Sequence, residues 1–136
     1  MSYGVASALQ SAVYQRLAAN SDLALLVGAA IYDTVPAGVI PATYVSLGPE
    51  DVRDRSDQTG AGALHFVTIS VVTDAAGFQT AKDVAAVVSD ALIDAELILA
   101  RGKLIYMRFD RATARRVGVG ETRRIDIRFR ARVEDN

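Results

Sequence analysis

The sequence predicts an α+β fold, with an antiparallel β-sheet of about four to five strands and two α-helices packed on one face of the sheet. Two segments carry apolar residues at helical spacing, and four others show the alternation or the β-branched composition of strands. Short links join consecutive strands, which favours antiparallel pairing. With 136 residues, we expect one domain spanning residues 1–136.

The two helices are predicted at residues 4–19 and 78–95. In both segments the apolar side chains recur every three or four residues and therefore form one stripe. The stripe residues are Val5, Leu9, Val13 and Leu17 in the first helix, and Val84, Val87, Val88, Ala91, Leu92 and Ala95 in the second. Residues 23–31 predict a further short helical turn.

Strict alternation marks the last predicted strand, residues 122–133. Successive strand side chains point to opposite faces, so one set belongs to a core and the other set lies on the opposite face. The core set is Ile125, Ile127, Phe129, Ala131 and Val133. The other set is Arg124, Asp126, Arg128, Arg130 and Arg132, and we expect Thr68, Ser70 and Arg108 to share its face.

Three more strands are predicted at residues 43–48, 64–73 and 103–110. Residues 111–119 are expected to continue the third of these irregularly, and the glycines that follow predict a hairpin into the last strand. Residues 32–44 contain two prolines and a glycine and predict a stiff, irregular connection.

Residues 49–63 are polar, charged and without any period, so they are predicted to form a long loop. Loops of this length are uncommon in compact domains and are often functional or disordered. This segment is therefore either a solvated connection or an arm that reaches a neighbouring molecule.

Charge is distributed unevenly along the chain. Residues 1–100 carry four basic and eleven acidic side chains, and residues 101–136 carry eleven basic and five acidic ones. Three interpretations are open: the halves neutralise each other within one fold, the acidic surface of one subunit meets the basic surface of another, or the basic end binds nucleic acid.

The composition argues against most catalytic sites. The chain has no cysteine and one histidine, His65, which we expect to be a partly exposed structural residue. Asp51, Asp54 and Asp57 are spaced by three, but two arginines interleave with them and the glycine and glutamate of a calcium loop are missing. We expect no enzyme activity, no catalytic residue, no metal and no cofactor.

Nucleic-acid binding is also disfavoured as a main function. Phe109 and Phe129 have the parity opposite to that of the neighbouring arginines, which predicts that the aromatic rings enter the core and leave no platform for stacking bases. No apolar run approaches the roughly 20 residues of a membrane helix, and the first residues lack the pattern of a secretory signal, so no membrane partner is expected.

The order of these segments resembles the tail-completion, or tail-terminator, proteins of long-tailed phages and of phage-derived gene transfer agents. The resemblance lies in three stretches: IYDTVPAGVIPATYVSLGPEDVRDRSD, HFVTISVVTDAAGFQTAKDVAAVVSDALIDAEL, and the ending KLIYMRFDRATARR with TRRIDIRFRARVED. It covers nearly the whole chain, and its short motifs are not catalytic.

The resemblance implies a structural role. Members of this family form a ring, commonly hexameric, that caps the tail tube, stops its polymerisation and joins it to the head–tail connector or stopper. The implied partners are other copies of the chain, the tail tube protein and the connector, with DNA only passing through the bore. The implied location is the tail or neck of a virion assembled in the bacterial cytoplasm.

Charge and loop length, rather than family motifs, select the candidate interface. The candidate residues for a subunit or tail interface are Glu50, Asp51, Arg53, Asp54, Arg55, Asp57, Arg124, Arg128, Arg130 and Arg132. The alternatives are a head–tail stopper or connector, a tail tube component, and a small non-viral α+β binding domain or an enzyme that uses carboxylates.

Overall fold

A computed structural model describes residues 3–56, 61–118 and 121–135. These residues form an α+β fold with three helices and five strands, which confirms the predicted fold class. In chain order the elements are α1 (Ala6–Ala18), α2 (Ser21–Val27), β1 (Ile31–Tyr32), β2 (Thr43–Asp54), β3 (Ala61–Thr73), α3 (Gln79–Leu92), β4 (Lys103–Arg116) and β5 (Arg123–Asp135).

The strands form one sheet in the order β1-β2-β3-β5-β4. The short strand β1, which was not predicted as a strand, pairs with β2 in parallel, and all the other pairs are antiparallel. The last strand of the chain therefore lies between β3 and β4 and is hydrogen-bonded on both sides.

The burial of β5 follows the predicted alternation along its length. Ile125, Ile127, Phe129, Ala131 and Val133 are buried, whereas the residues between them are only partly buried. The buried set lies in the same core cluster as the apolar stripes of the helices. That cluster includes Val5, Leu9, Val13 and Leu17 around α1, and Val84, Val88, Ala91 and Leu92 of α3.

Both long helices are confirmed close to their predicted bounds. The predicted helical turn is α2, whose first turn is capped because the Asn20 side chain accepts a hydrogen bond of 2.9 Å from the Leu23 backbone N–H. The packing of the helices on one face of the sheet stays a prediction. No helix in the described part of the chain is long and apolar enough to cross a membrane.

The prediction of a long loop over residues 49–63 is wrong. β2 continues to Asp54, β3 begins at Ala61, and the two strands pair from Glu50↔Val67 to Asp54↔Ala63. A register shift between Leu47 and Glu50 introduces an extra residue, which breaks the alternation that would have revealed the strand in the sequence. Residues 57–60, including Asp57, lie outside the described residues.

The strand β4 continues past Asp110 to Arg116, as the predicted irregular continuation required, and contains two register shifts, between Leu104 and Tyr106 and between Phe109 and Arg111. It forms the predicted hairpin partner of β5, but its only strand neighbour in the described residues is β5. Most of its side chains are exposed. Phe109 is among them, so the prediction that its ring enters the core is wrong. β4 is therefore an edge strand with an incompletely covered surface.

Replacing Phe129 by alanine tests the position of the core. Phe129 is 0% exposed, and we expect Phe129→Ala to lower the free energy of unfolding by about 3–5 kcal/mol, measured by urea denaturation. Phe109 lies directly opposite in the register and is 48% exposed, which makes Phe109→Ala a matched control expected to cost less than about 1 kcal/mol. Equal losses in the two variants would contradict this description of the core.

Candidate functional site: an arginine face of the sheet

One face of the sheet carries eight arginines of the described chain, which together are called the arginine face. The alternation of β5 turns its even-numbered residues away from the core, and the register places arginines of β4 and β2 beside them. The members are Arg53 of β2, Arg108, Arg111 and Arg115 of β4, and Arg124, Arg128, Arg130 and Arg132 of β5.

Arginine stands opposite arginine at three positions of this face. The register pairs Arg108 with Arg130, Arg111 with Arg128, and Arg115 with Arg124. Directly opposed like charges destabilise a sheet because their Cβ atoms lie only about 4.5–5.5 Å apart. The arginine face therefore contains charge repulsion that the chain must either neutralise itself or leave for a partner to neutralise.

Asp126 neutralises one end of the face. Its carboxylate accepts hydrogen bonds from Arg124 Nε at 2.8 Å and from Ser70 Oγ at 2.6 Å, and it lies 3.5 Å from Arg115 Nη2. Burial alone would raise the pKa of Asp126, but the Ser70 and Arg124 hydrogen bonds and the two arginine charges outweigh it and lower that pKa. The Arg115/Arg124 pair therefore has its counter-charge within the chain.

Phe66 and Asp110 hold Arg128. The guanidinium of Arg128 lies 4.1 Å from the centre of the Phe66 ring, and its Nε lies 3.1 Å from Asp110 Oδ2 in an ion pair that lacks hydrogen-bond geometry. Arg53 also lies over the Phe66 ring, at 5.3 Å. Cation–π contacts of this kind contribute about 0.5–2 kcal/mol.

These contacts correct the prediction that every aromatic ring leaves this face. Phe66 lies on the arginine face, and so does Tyr106, whose ring lies 4.1 Å from the Arg108 guanidinium. That prediction depends on the alternation of side chains in β4 and β5. This alternation does not show which residues of β3 share the face. Phe66 is nevertheless buried, so its ring is covered by guanidinium groups rather than open to a stacking base.

Among the residues that the structure describes, four arginines of the face have no carboxylate partner: Arg108, Arg111, Arg130 and Arg132. Arg130 is the most constrained of them, because its Nε is buried and makes no hydrogen bond within the described chain. Buried donors without an acceptor cost free energy, so the Arg130 side chain is not stabilised by a hydrogen bond at its Nε. Arg108 lies on this face as predicted, although it was not among the predicted interface residues. Arg111 was not predicted on this face, because the sequence of β4 shows no clear parity beyond Asp110.

The described residues of the predicted acidic arm contact different parts of the chain. Asp51 pairs with Arg53 at 3.3 Å, and Asp54 accepts a 2.6 Å hydrogen bond from the Ser56 hydroxyl. The Arg55 carbonyl accepts a hydrogen bond of 2.9 Å from Arg132 Nη2. Only the last of these contacts joins the end of β2 to β5.

Glu50 lies away from the arginine face and has partners within the chain. Its carboxylate accepts a hydrogen bond of 2.5 Å from the Tyr3 hydroxyl and lies 2.9 Å from His65 Nδ1. Because an ionised carboxylate only accepts, the Nδ1 atom carries the proton. His65 is fully buried, so the prediction of a partly exposed histidine is wrong.

The pKa of Glu50 is lowered by these partners. Burial would raise this pKa, but the hydrogen bonds from His65 and Tyr3 outweigh burial. The same bond to Glu50 raises the pKa of Tyr3. The contacts of Glu50 with Tyr3 and His65 therefore link the segment before α1 to β2 and β3. Within the described residues, no group of three or more potential metal-ligating side chains is close enough to hold a metal ion.

Two of the comparisons with known proteins find a match for this chain. A family model described as Tail completion protein gp17 matches residues 11–134. A solved structure described as "Virion of native gene transfer agent (GTA) particle" contains a chain that is 64% identical to this one, with a TM-score of 0.94, covering 98% of this chain and 99% of that chain. The comparison with curated proteins finds no match.

Two identical substitutions on β5 test which arginines the fold itself requires. We expect Arg128→Met to lower the free energy of unfolding by about 1–2 kcal/mol, because it removes the Asp110 ion pair and the contact with Phe66. Arg130→Met keeps an apolar stem and removes repulsion from Arg108, so it should leave stability unchanged or raise it by up to about 1 kcal/mol. Urea denaturation of dilute protein measures both, and an equal loss would show that Arg130 has a partner within the chain.

Acid sensitivity tests the Glu50 contacts. A carboxyl group whose pKa is lowered by folding stabilises the protein above its unfolded pKa of about 4.3, and this contribution is lost as the pH falls through the folded pKa. Glu50→Gln should therefore cost about 1–3 kcal/mol at pH 7 and flatten the loss of stability below pH 5. Thermal unfolding from pH 7 to pH 3 measures this, with the exposed Glu96→Gln as the control. A slope unchanged from wild type would contradict the role of Glu50.

Proposed function

Because the chain belongs to the tail completion protein gp17 family, we propose that it is the subunit of a tail terminator ring. Family membership makes it a structural protein of a phage-type tail and not an enzyme. In this proposal the ring is a homo-oligomer, with six subunits as the working number. It caps the tail tube, ends tube polymerisation and offers its other side to the head–tail connector, in the tail or neck of a particle assembled in the bacterial cytoplasm.

The observation that supports this function most strongly is the incomplete neutralisation of the arginine face. Arg108 and Arg130 are opposed to each other without a carboxylate in the described chain, and the stability of the isolated subunit gains nothing from that pair. A planar guanidinium matches a carboxylate in two parallel hydrogen bonds. We propose that acidic side chains of a neighbouring subunit or of the next tail ring supply those carboxylates.

The chemistry of the face favours an acidic protein surface over DNA as its partner. Asp110 and Asp126 lie among the arginines and would repel phosphates, and the Phe66 ring is covered. We therefore propose that DNA only passes through the bore. Binding of short duplex DNA that weakens steeply with added salt would favour a DNA-contacting role instead.

Deletion of the gene in a producing bacterium separates the possible tail functions. A missing terminator leaves tubes of uncontrolled length that do not join heads, because nothing ends polymerisation. A missing tube subunit leaves no tubes. A missing stopper or connector leaves tubes of normal length beside heads. Electron microscopy of the particles distinguishes the three, and normal tube length in the deletion strain would overturn the terminator proposal.

Charge reversal tests the role of the arginine face. Arg130→Glu creates an opposite-charge pair with Arg108, so the subunit should remain folded, while association with carboxylates should weaken by about tenfold or more per contact. Particle yield in the complemented deletion strain and light scattering of the purified protein measure the effect.

The matched control is Arg101→Glu. Arg101 is exposed, and its Nη2 pairs with Asp135 at 2.8 Å outside the arginine face. Arg101→Glu makes the same charge change as Arg130→Glu, and we expect it to have little effect on assembly. Arg128 is unsuitable for this test because its reversal also disturbs Phe66. Wild-type assembly by Arg130→Glu would show that the arginine face is not the interface.

A further inference from the structure

An exposed apolar loop projects from one edge of the sheet. Residues 33–42 connect β1 to β2, and the order of the strands places β1 at the edge opposite β4. Val39 in this loop is 99% exposed, and its neighbour Ile40 is also exposed. Pro36 and Pro41 flank the pair and restrict the backbone, so the loop loses little conformational freedom if it docks.

An apolar groove lies at the other edge of the sheet. It runs between α3 and β4, has a volume of about 300 Å³, and has Ile125 and Ile127 in its lining. The described helices leave this part of β4 uncovered, which explains why Phe109 remains exposed. The other lining residues are Lys82, Ala85, Ala86 and Ser89 of α3, and Phe109, Ala112 and Ala114 of β4.

The charges of the two edges are complementary. The strand β4 carries Lys103 and four arginines against a single acidic residue, Asp110. The part of β2 beyond its pairing with β1, residues 47–54, carries three acidic residues and one arginine. Lys82 stands at the groove, and Asp33 lies at the base of the loop beside Leu47 and Glu50. An opposed pair of edges would therefore attract each other.

We propose that the Val39–Ile40 loop of one copy docks in the groove between α3 and β4 of a second copy. The proposal rests on the ring function, and it names the contact that joins neighbouring subunits. The loop and the groove belong to different edges of the same sheet, so the contact is head-to-tail and every subunit can both give and receive a loop. Heterologous contacts of this kind close into rings.

The loop does not occupy the groove of its own chain, since Val39 is almost fully exposed. The edges β1 and β4 are four strand spacings apart, roughly 19 Å. A second copy is the favoured occupant because the same chain supplies both the apolar loop and the oppositely charged edge that would accompany it.

Cysteine cross-linking tests this contact, because the chain has no cysteine of its own. One population carries Val39→Cys and a second, with a distinguishable tag, carries Ala112→Cys. We expect a short bis-maleimide to produce a heterodimer from the mixture and no comparable product from either population alone. Val39→Cys mixed with Leu25→Cys is the control, since Leu25 is 84% exposed and lies on α2, outside both surfaces.

A second variant tests the energetic role of the loop. Val39→Ser with Ile40→Ser removes the apolar tip at exposed positions, so folding should be unaffected while association weakens by about tenfold or more. Analytical ultracentrifugation across protein concentration measures association. The contact is overturned if the heterodimer does not exceed the Leu25→Cys control, or if the double variant associates like wild type.

The outcomes separate this contact from the proposed function. Cross-linking traps even a transient contact, so a missing heterodimer overturns the docking whether or not a ring is seen. Ring-sized wild-type protein without the cross-link leaves the terminator function standing with a different interface. A specific cross-link in a protein whose deletion leaves tail length and head joining normal supports the docking and refutes the terminator function.

Discussion

The two-sided pairing of β5 is the constraint on which the rest of the structure depends. This strand is hydrogen-bonded to β3 over its whole length on one side and to β4 on the other. Because the side-chain period of a strand is two, a slip of one residue would turn Phe129 outward and bury arginines. The register of β5 therefore determines both which side chains enter the core and which lie on the arginine face. A change in one set requires a change in the other.

The arginine face contains arginines that have partners within the described chain and arginines that lack a carboxylate there. Asp126 and Asp110 counter the arginines at two positions, and Phe66 supports Arg128 and Arg53. Arg130 has no such contact within the described chain, and Arg108 lies over the Tyr106 ring but has no carboxylate partner there. In the proposed ring, arginines without a carboxylate of their own would disfavour nonspecific contacts and favour an acidic partner.

In the proposed ring, the edges of the sheet would make a second contribution to association. β4 is a long edge strand with an apolar groove, and long exposed edges invite pairing with other chains. Its basic residues disfavour the pairing of two β4 edges but favour an acidic edge. The arginine face and the groove adjoin along β4, so a head-to-tail neighbour could contact both surfaces at once, and a closed ring would repeat each contact at every subunit.

Local sequence patterns determined the two long helices, the last strand and the division of its residues between core and arginine face, because each has a clean period of its own. Other features depended on tertiary structure. The bulge beyond Leu47 concealed the second half of β2, and only cross-strand register brings Arg108 opposite Arg130 and Phe66 beneath Arg128. Glu50 was predicted at an interface from its charge, but folding places it against His65, fifteen residues away. The periodicity of apolar side chains can be recognised within one segment of the sequence. The contact partners of a side chain depend on which segments become neighbours in the folded chain.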